Sequence, residues 1–109
     1  MNDLPECLVT RRLLLRPPVD RDIPEVVREI GNWNVAKWLG RVPHPYSPCH
    51  ARTWLRISRQ RRDEGSDLVF AIARASKPAR LIGVIGCHDI SKPDPLFGYW
   101  LAERQWGRG

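Results

Sequence analysis

The sequence predicts a mixed α+β domain, with three helices packed on a largely antiparallel central sheet in the order β-α-α-α-β-β-β. Three observations carry that expectation. From Ile23 to Asp63 the apolar residues recur at helical spacing, and from Asp67 onward they gather into β-branched and aromatic runs. Those later runs are separated by Ser76-Lys-Pro-Ala79 and Ser91-Lys-Pro-Asp-Pro95, both turn-forming stretches. A length of 109 residues with 42% hydrophobic side chains supports one core and therefore one domain.

Taken in order, Leu8 to Arg16 alternates imperfectly and reads as a single first strand at a sheet edge, ended by Pro17-Pro18. Asp20 and Asp22 offer N-caps for a first helix, with Pro24 tolerated in its first turn. Ile23, Val26, Val27 and Ile30 form its single apolar stripe, and Gly31-Asn32 ends it. A short second helix is expected over Trp33–Leu39, with Val35, Trp38 and Leu39 on one side and Gly40 as the stop. Pro43 and Pro45 keep Arg41 to Ser47 in a loop. Ser47-Pro48 then supplies the N-cap and first position of a third helix running to about Asp63. Ala51, Trp54, Leu55 and Ser58 make its buried side, and most of its arginines lie opposite. Leu68–Ala73 and Arg80–Ile90 are expected to pair as a hairpin, followed by a third strand from Phe97 to Leu101. Gly83 and Gly86 mark either tight packing against a helix or a bulge. The chain holds no internal repeat, linker or low-complexity segment.

The formal charge is +6 and the pI about 9.9. The basic residues are spread along the chain, and the densest group, Arg56 to Arg62, is interrupted by other residues. A solvated helix face accounts for most of that cluster; attraction to an acidic partner, such as a nucleotide-like cofactor or a ribosome, is the other reading. Cys7, Cys49 and Cys87 are odd in number and lack a C-x-x-C pair, which argues against a disulfide framework and a structural zinc site. No apolar signal core or membrane-length run is present, so a cytoplasmic protein without a membrane segment is expected.

The chemistry concentrates in Phe97-Gly-Tyr-Trp-Leu-Ala-Glu-Arg-Gln-Trp-Gly-Arg-Gly109. An aromatic strand there runs into two glycines separated by one residue, a pattern whose backbone N–H groups form an anion-binding concavity. A following helix would add its N-terminal dipole. Arg104-x-x-Gly107-x-Gly109 resembles the pyrophosphate loop of the GNAT superfamily of acyl-CoA-dependent N-acetyltransferases. Gly98-Tyr-Trp-Leu-Ala102 and Trp106-Gly-Arg-Gly109 resemble the branch containing the ribosomal-protein N-terminal acetyltransferases. Thr10-Arg-Arg-Leu-Leu-Leu-Arg-Pro17, Pro43-His-Pro-Tyr46, Ala51-Arg-Thr-Trp54, Phe70-Ala-Ile72 and Leu81-Ile-Gly83 fall in the same family's order. The resemblance covers that family's N-terminal half.

It implies acetyl-CoA as co-substrate, no metal, and a GNAT-like fold that here reaches only the start of the cofactor-binding helix. Backbone groups of Tyr99, Trp100 and Leu101 would hold the pantetheine arm on a strand splayed by a bulge, with Leu101 nearest the thioester. Arg104, Gln105, Trp106, Gly107, Arg108 and Gly109 would bind the pyrophosphate. Trp33, Trp38 and Tyr46 would line the acceptor groove, although Trp38 also fits ordinary core packing. The acceptor would be a protein N-terminus or a small amine.

An amine with a pKa of about 8 to 10 needs only modest deprotonation at neutral pH, so a water-mediated base suffices. Glu103 and His88 are the side-chain candidates, each set against a plain surface or structural role; His44 and His50 are expected at the surface. A non-catalytic fragment, or a basic module binding RNA or a ribosome, is the competing reading, and it predicts strongly salt-dependent RNA binding. Residues 1–109 in isolation are expected to bind acetyl-CoA weakly and to self-associate into oligomers through an apolar strand edge.

Overall fold

Two short strands come first among the described residues, where one was expected. The computed structural model describes residues 7–37, 39, 42, 43 and 45–107. In it Leu8–Val9 (β1) pairs antiparallel with Leu13–Arg16 (β2), placing Leu8 opposite Leu15. Thr10 closes the turn between them: its hydroxyl accepts the Leu13 N–H at 2.9 Å, and its own N–H reaches the Leu13 carbonyl at 2.8 Å. That side-chain bond does the work usually given to glycine, which is why the turn left so faint a mark in the sequence.

A 3-10 turn at Asp20–Asp22 leads into α1, Ile23–Ile30, with Pro24 in its first turn as expected. Asp22 does not cap the helix with its side chain. It is buried, and its two carboxylate oxygens accept from Arg16 Nη1 and Nη2 at 2.8 Å each, while Val19 donates its N–H at 2.8 Å. A guanidinium brought into the interior by β2 outcompetes the helix end for that carboxylate, because a buried charge left unpaired costs several kcal/mol, about 3–5.

Helix α2 covers Trp33–Ala36, shorter than the expected Trp33–Leu39. Asn32 caps it by accepting the Asn34 N–H, and beyond Ala36 the chain tightens into a Leu39 N–H bond to the Ala36 carbonyl. Helix α3, Pro48–Asp63, begins at Ser47. The Ser47 hydroxyl accepts from the His50 N–H at 3.3 Å, and His50 Nδ1 accepts from the Ser47 N–H at 3.0 Å. His50 therefore completes a reciprocal cap in the place usually taken by a glutamate. Ala51, Leu55 and Ser58 are buried and Trp54 packs on the core, as the stripe predicted.

The remaining strands are β3 (Asp67–Arg74), β4 (Lys77–His88) and β5 (Leu96–Leu101). The sheet runs β1-β2-β3-β4-β5 and every neighbouring pair is antiparallel. The β3–β4 turn is only Ala75-Ser76, so β4 starts three residues before the expected Arg80 and contains Pro78. The missing Pro78 N–H is tolerated beside the irregular register at Ile72/Ala73 and Ala73/Arg74, where pairing is already interrupted. Val26 and Ile30 of α1 and Ala51 of α3 pack on Val69, Ala71, Leu81 and Val84 of the sheet. The expected β3–β4–β5 arrangement, with α1 on one face, is therefore present.

Gly83 adjoins the irregular register of the β3–β4 pair, where Ile72 faces Gly83 and Ala73 faces Leu81, as the bulge reading expected. It faces β5: a Cβ there would lie 2.4 Å from the Trp100 carbonyl oxygen and 2.8 Å from a Leu101 methyl. Beside that bulge, backbone-to-backbone closeness to β5 demands glycine at this position.

Candidate active site

Strand β5 occupies one edge of the sheet among the described residues. Its pairing with β4 is regular from His88↔Leu96 to Gly83↔Leu101, so the expected bulge is absent from it; the irregularity lies in the β3–β4 pair instead. The direction of the β5 donors follows from the ladder itself. The Ala102 N–H reaches the Ile82 carbonyl at 2.8 Å, and an antiparallel ladder alternates inward and outward groups. By that alternation the N–H groups of Tyr99 and Leu101 point away from β4. The Leu101 carbonyl confirms the phase, accepting the Trp106 indole N–H at 3.0 Å.

Beyond β5 the chain enters a 3-10 turn, Glu103–Gln105, and reaches Gly107 at φ +76°. Only glycine adopts that conformation without strain, and open space surrounds the missing Cβ. Trp106 is partly exposed and folds back along the strand. Arg108 and Gly109 lie outside the described residues.

The side chains of the turn face inward. Arg104 is ion-paired with Glu29, a buried carboxylate on α1, and lies 3.9 Å from Glu25. Gln105 accepts from Arg74 Nη2 at 2.7 Å. Glu103 takes bonds from Asn32 Nδ2 at 2.7 Å and from Asn34 Nδ2 at 3.1 and 3.3 Å. Those two amides hold the Glu103 carboxyl below its ordinary range. The turn is thus tied to α1, α2 and β3 through side chains, while the Gln105 and Trp106 N–H groups close it onto the Ala102 and Glu103 carbonyls. None of Asn32, Asn34, Glu29 or Arg74 is legible as a partner from local sequence.

A groove of about 440 Å³ runs along this edge, lined by Val35, Leu39, Tyr99, Trp100, Trp106 and Gly107 among others. Tyr99 is two-thirds exposed, while Trp100 turns its ring to the core. Of the expected acceptor residues, Trp33 is exposed on α2, and Tyr46 packs on the core with its ring centroid 5.4 Å from that of His50. Burial pushes the Tyr46 hydroxyl above its ordinary pKa. Trp38 and His44 lie outside the described residues.

His88 occupies the far end of β4, directly across from Asp67 on β3. Its Nδ1 lies 2.8 Å from Asp67 Oδ2, and Asp67 Oδ1 accepts the Asp89 N–H at 3.1 Å. Among the described residues no group of three metal-ligating side chains gathers, and no helix is long and apolar enough to cross a membrane.

The family model for the acetyltransferase (GNAT) domain matches residues 12–109. No curated protein matches the sequence. Among solved structures, a candidate ribosomal-protein-serine acetyltransferase from Vibrio cholerae superposes with a TM-score of 0.75 at 20% identity, covering all of this chain and 61% of that one. The microcin C7 self-immunity acetyltransferase MccE, solved with acetyl-CoA and AMP, gives 0.74 at 19% identity, covering 97% and 60%. RimL, a ribosomal L7/L12 α-N-protein acetyltransferase solved with coenzyme A, gives 0.71 at 20% identity, covering 94% and 58%. The chain spans about three fifths of the length of each, and at these identities the likeness establishes the fold.

Proposed function

This chain belongs to the acetyltransferase (GNAT) domain family, and we propose that its protein transfers an acetyl group from acetyl-CoA to a primary amine. The observation that carries the reading is the junction of β5 with its turn, where outward N–H groups of Tyr99 and Leu101 lead to a glycine at φ +76°. Such donors suit the amide-rich pantetheine arm and a thioester oxygen. The pyrophosphate is assigned to residues 104–109 on the family resemblance, with Gly107 at φ +76° as the described glycine of that loop.

Acetyl-CoA supplies the activated acyl group. The chain's own part is to hold donors along one edge, to set the acceptor amine in line with the thioester, and to accept a proton from that amine. Arg104 would contribute to anion binding by fixing the turn against Glu29 and by its charge, since its guanidinium is already paired. Trp33, Trp38 and Tyr46 would flank the acceptor, a protein N-terminus or a small amine. The names of two structural neighbours, one acting on a ribosomal-protein N-terminus and one bound to acetyl-CoA, support that range. A protein acceptor would bring the enzyme to the ribosome in the cytoplasm.

Calorimetry of the full-length protein with acetyl-CoA, followed by transfer to peptides with free N-termini and to small amines, tests the proposal. Saturable binding with transfer to one of these acceptors is expected. RNA binding that weakens steeply with salt, without acetyl-CoA binding, would instead establish a basic binding module.

A further inference from the structure

We propose that His88, oriented by Asp67, is the group that accepts the proton of the acceptor amine, an inference that rests on the acetyltransferase reading above. Asp67 and His88 face each other in register on adjacent central strands, so the sheet sets their geometry and no loop has to close. The Asp67 side chain is 5% exposed and the His88 side chain 44% exposed, a buried orienting carboxylate behind an accessible imidazole. Both carboxylate oxygens are committed, one to His88 Nδ1 and one to the Asp89 N–H. Asp89 holds φ +56°, a left-handed backbone in a residue other than glycine, immediately after the histidine. That strained residue supplies the N–H that locks the carboxylate.

A carboxylate cannot donate, so Nδ1 carries the proton toward Asp67 and Nε2 is left as the basic nitrogen. Burial pushes the Asp67 carboxyl upward, yet bonds from His88 and the Asp89 N–H, together with the charges of His88 and Arg61, bring it below its ordinary value. It therefore stays ionised behind the ring. The other charges near the pair are Arg61 on α3, with Nη1 3.9 Å from Asp67 Oδ1, and Asp89, whose side chain is 3.9 Å from Lys92.

The ring lies along its own strand: a Cβ on Gly86 would come within 2.9 Å of Nε2. His88 lines a cavity of about 190 Å³ shared with Leu39, Trp54, Gly98, Tyr99 and Trp100. That cavity joins the imidazole to Tyr99 and Trp100, two of the three β5 residues expected to hold the pantetheine arm. Nε2 takes one proton from the ammonium, and the freed lone pair forms the bond to the thioester carbonyl carbon. The C–S bond breaks with its electron pair on sulfur, and a second amine proton neutralises the departing thiolate, giving amide and thiol. Glu103 is a poorer acceptor, because Asn32 and Asn34 already occupy its carboxylate and lower its basicity.

The test is the pH dependence of kcat/KM for acetylation of a peptide with a free N-terminus by the full-length protein, with acetyl-CoA affinity measured on the same samples. His88→Gln should lower kcat/KM by about 100-fold or more and abolish the ascending limb of the pH profile, with acetyl-CoA affinity unchanged. Asp67→Asn keeps an acceptor for Nδ1–H but removes the charge that stabilises imidazolium. It should cost about 10-fold and move the limb to lower pH, a shift that a pair serving only to pin two strands would not produce. A folded His88→Gln variant with wild-type rate and an unmoved limb would overturn the dyad while leaving the acetyltransferase intact. A wild-type protein that binds no acetyl-CoA would overturn both, and the affinity measurement tells the two failures apart.

Discussion

At the Leu96 end of β5, a buried aspartate stands behind an accessible histidine; at the Ala102 end, a more exposed glutamate is enclosed by two asparagine amides. Both carboxyls are held below their ordinary values, but for different reasons and with different consequences. Asp67 works against burial and depends on a titratable partner, so its environment changes when that partner gains or loses a proton. Glu103 is satisfied by neutral donors whose state does not change with pH. The first arrangement suits proton transfer, and the second suits anchoring a turn. A lowered carboxyl pKa alone does not separate the two; the chemistry of the donors does.

The largest effect should come from the anchoring end. Gly107→Asp places a carboxylate where phosphate oxygens are expected and strains φ +76°. It should weaken acetyl-CoA binding by about 3–6 kcal/mol through two or three lost charge-assisted contacts. Gly107→Ala isolates the strain, with a loss nearer 1 kcal/mol, since open space surrounds the new methyl. Calorimetry on both variants gives the pair of affinities. An undiminished affinity in Gly107→Asp would remove the pyrophosphate from this turn and erase the contrast between the two ends.

Next in size is the strand that joins them. Gly83→Ala should destabilise the fold by roughly 1–3 kcal/mol in urea denaturation, because the methyl meets backbone rather than a movable side chain. Full stability in that variant would mean that β5 is not fixed against β4, and that its ends move independently.

A smaller effect distinguishes the carboxyls by pH. The folded Asp67 carboxyl lies below its unfolded value, so its stabilisation is complete above the unfolded pKa of about 3.9 and fades as pH falls toward the folded pKa. Wild type should therefore lose stability on acidification through that window more steeply than Asp67→Asn, as read from urea midpoints. Parallel slopes would deny the pair its electrostatic coupling. Smallest of all, Glu103→Gln should alter acetyl-CoA affinity by no more than about threefold and leave the ascending pH limb in place, since Asn32 and Asn34 retain a carbonyl oxygen to bond. Displacement of that limb would move the proton chemistry to the Ala102 end.

What could be read in the sequence was what is local. The stripe of α1, the Ser47-Pro48 start of α3 and the change of period at Asp67 all depend on residues within one or two turns of each other. The hairpin at Thr10 escaped because a hydroxyl, common everywhere, replaced the glycine that would have marked it. In the sequence Asp67 marks only the change of period, since its pairing with His88 across 21 residues exists only once β3 and β4 have settled their register. Asn32 and Asn34 meet Glu103 from 71 and 69 residues away. The bulge beside Gly83 is legible in the sequence, whereas its close approach to Trp100 depends on a strand that only the fold places beside it.

Arg16 gives the amino-terminal strands a consequence for cooperativity. Its guanidinium bonds Asp22 ahead of α1 while its Nε donates to the Pro78 carbonyl 62 residues away at 2.8 Å. One side chain therefore ties β2, the entrance of α1 and the beginning of β4 into a single unit. Releasing any of the three strands the same buried charge, so none should open by itself at low cost. In hydrogen exchange, amides of β2 and those flanking Pro78 should consequently share one opening free energy, although the first belongs to the beginning of the chain and the second to its middle.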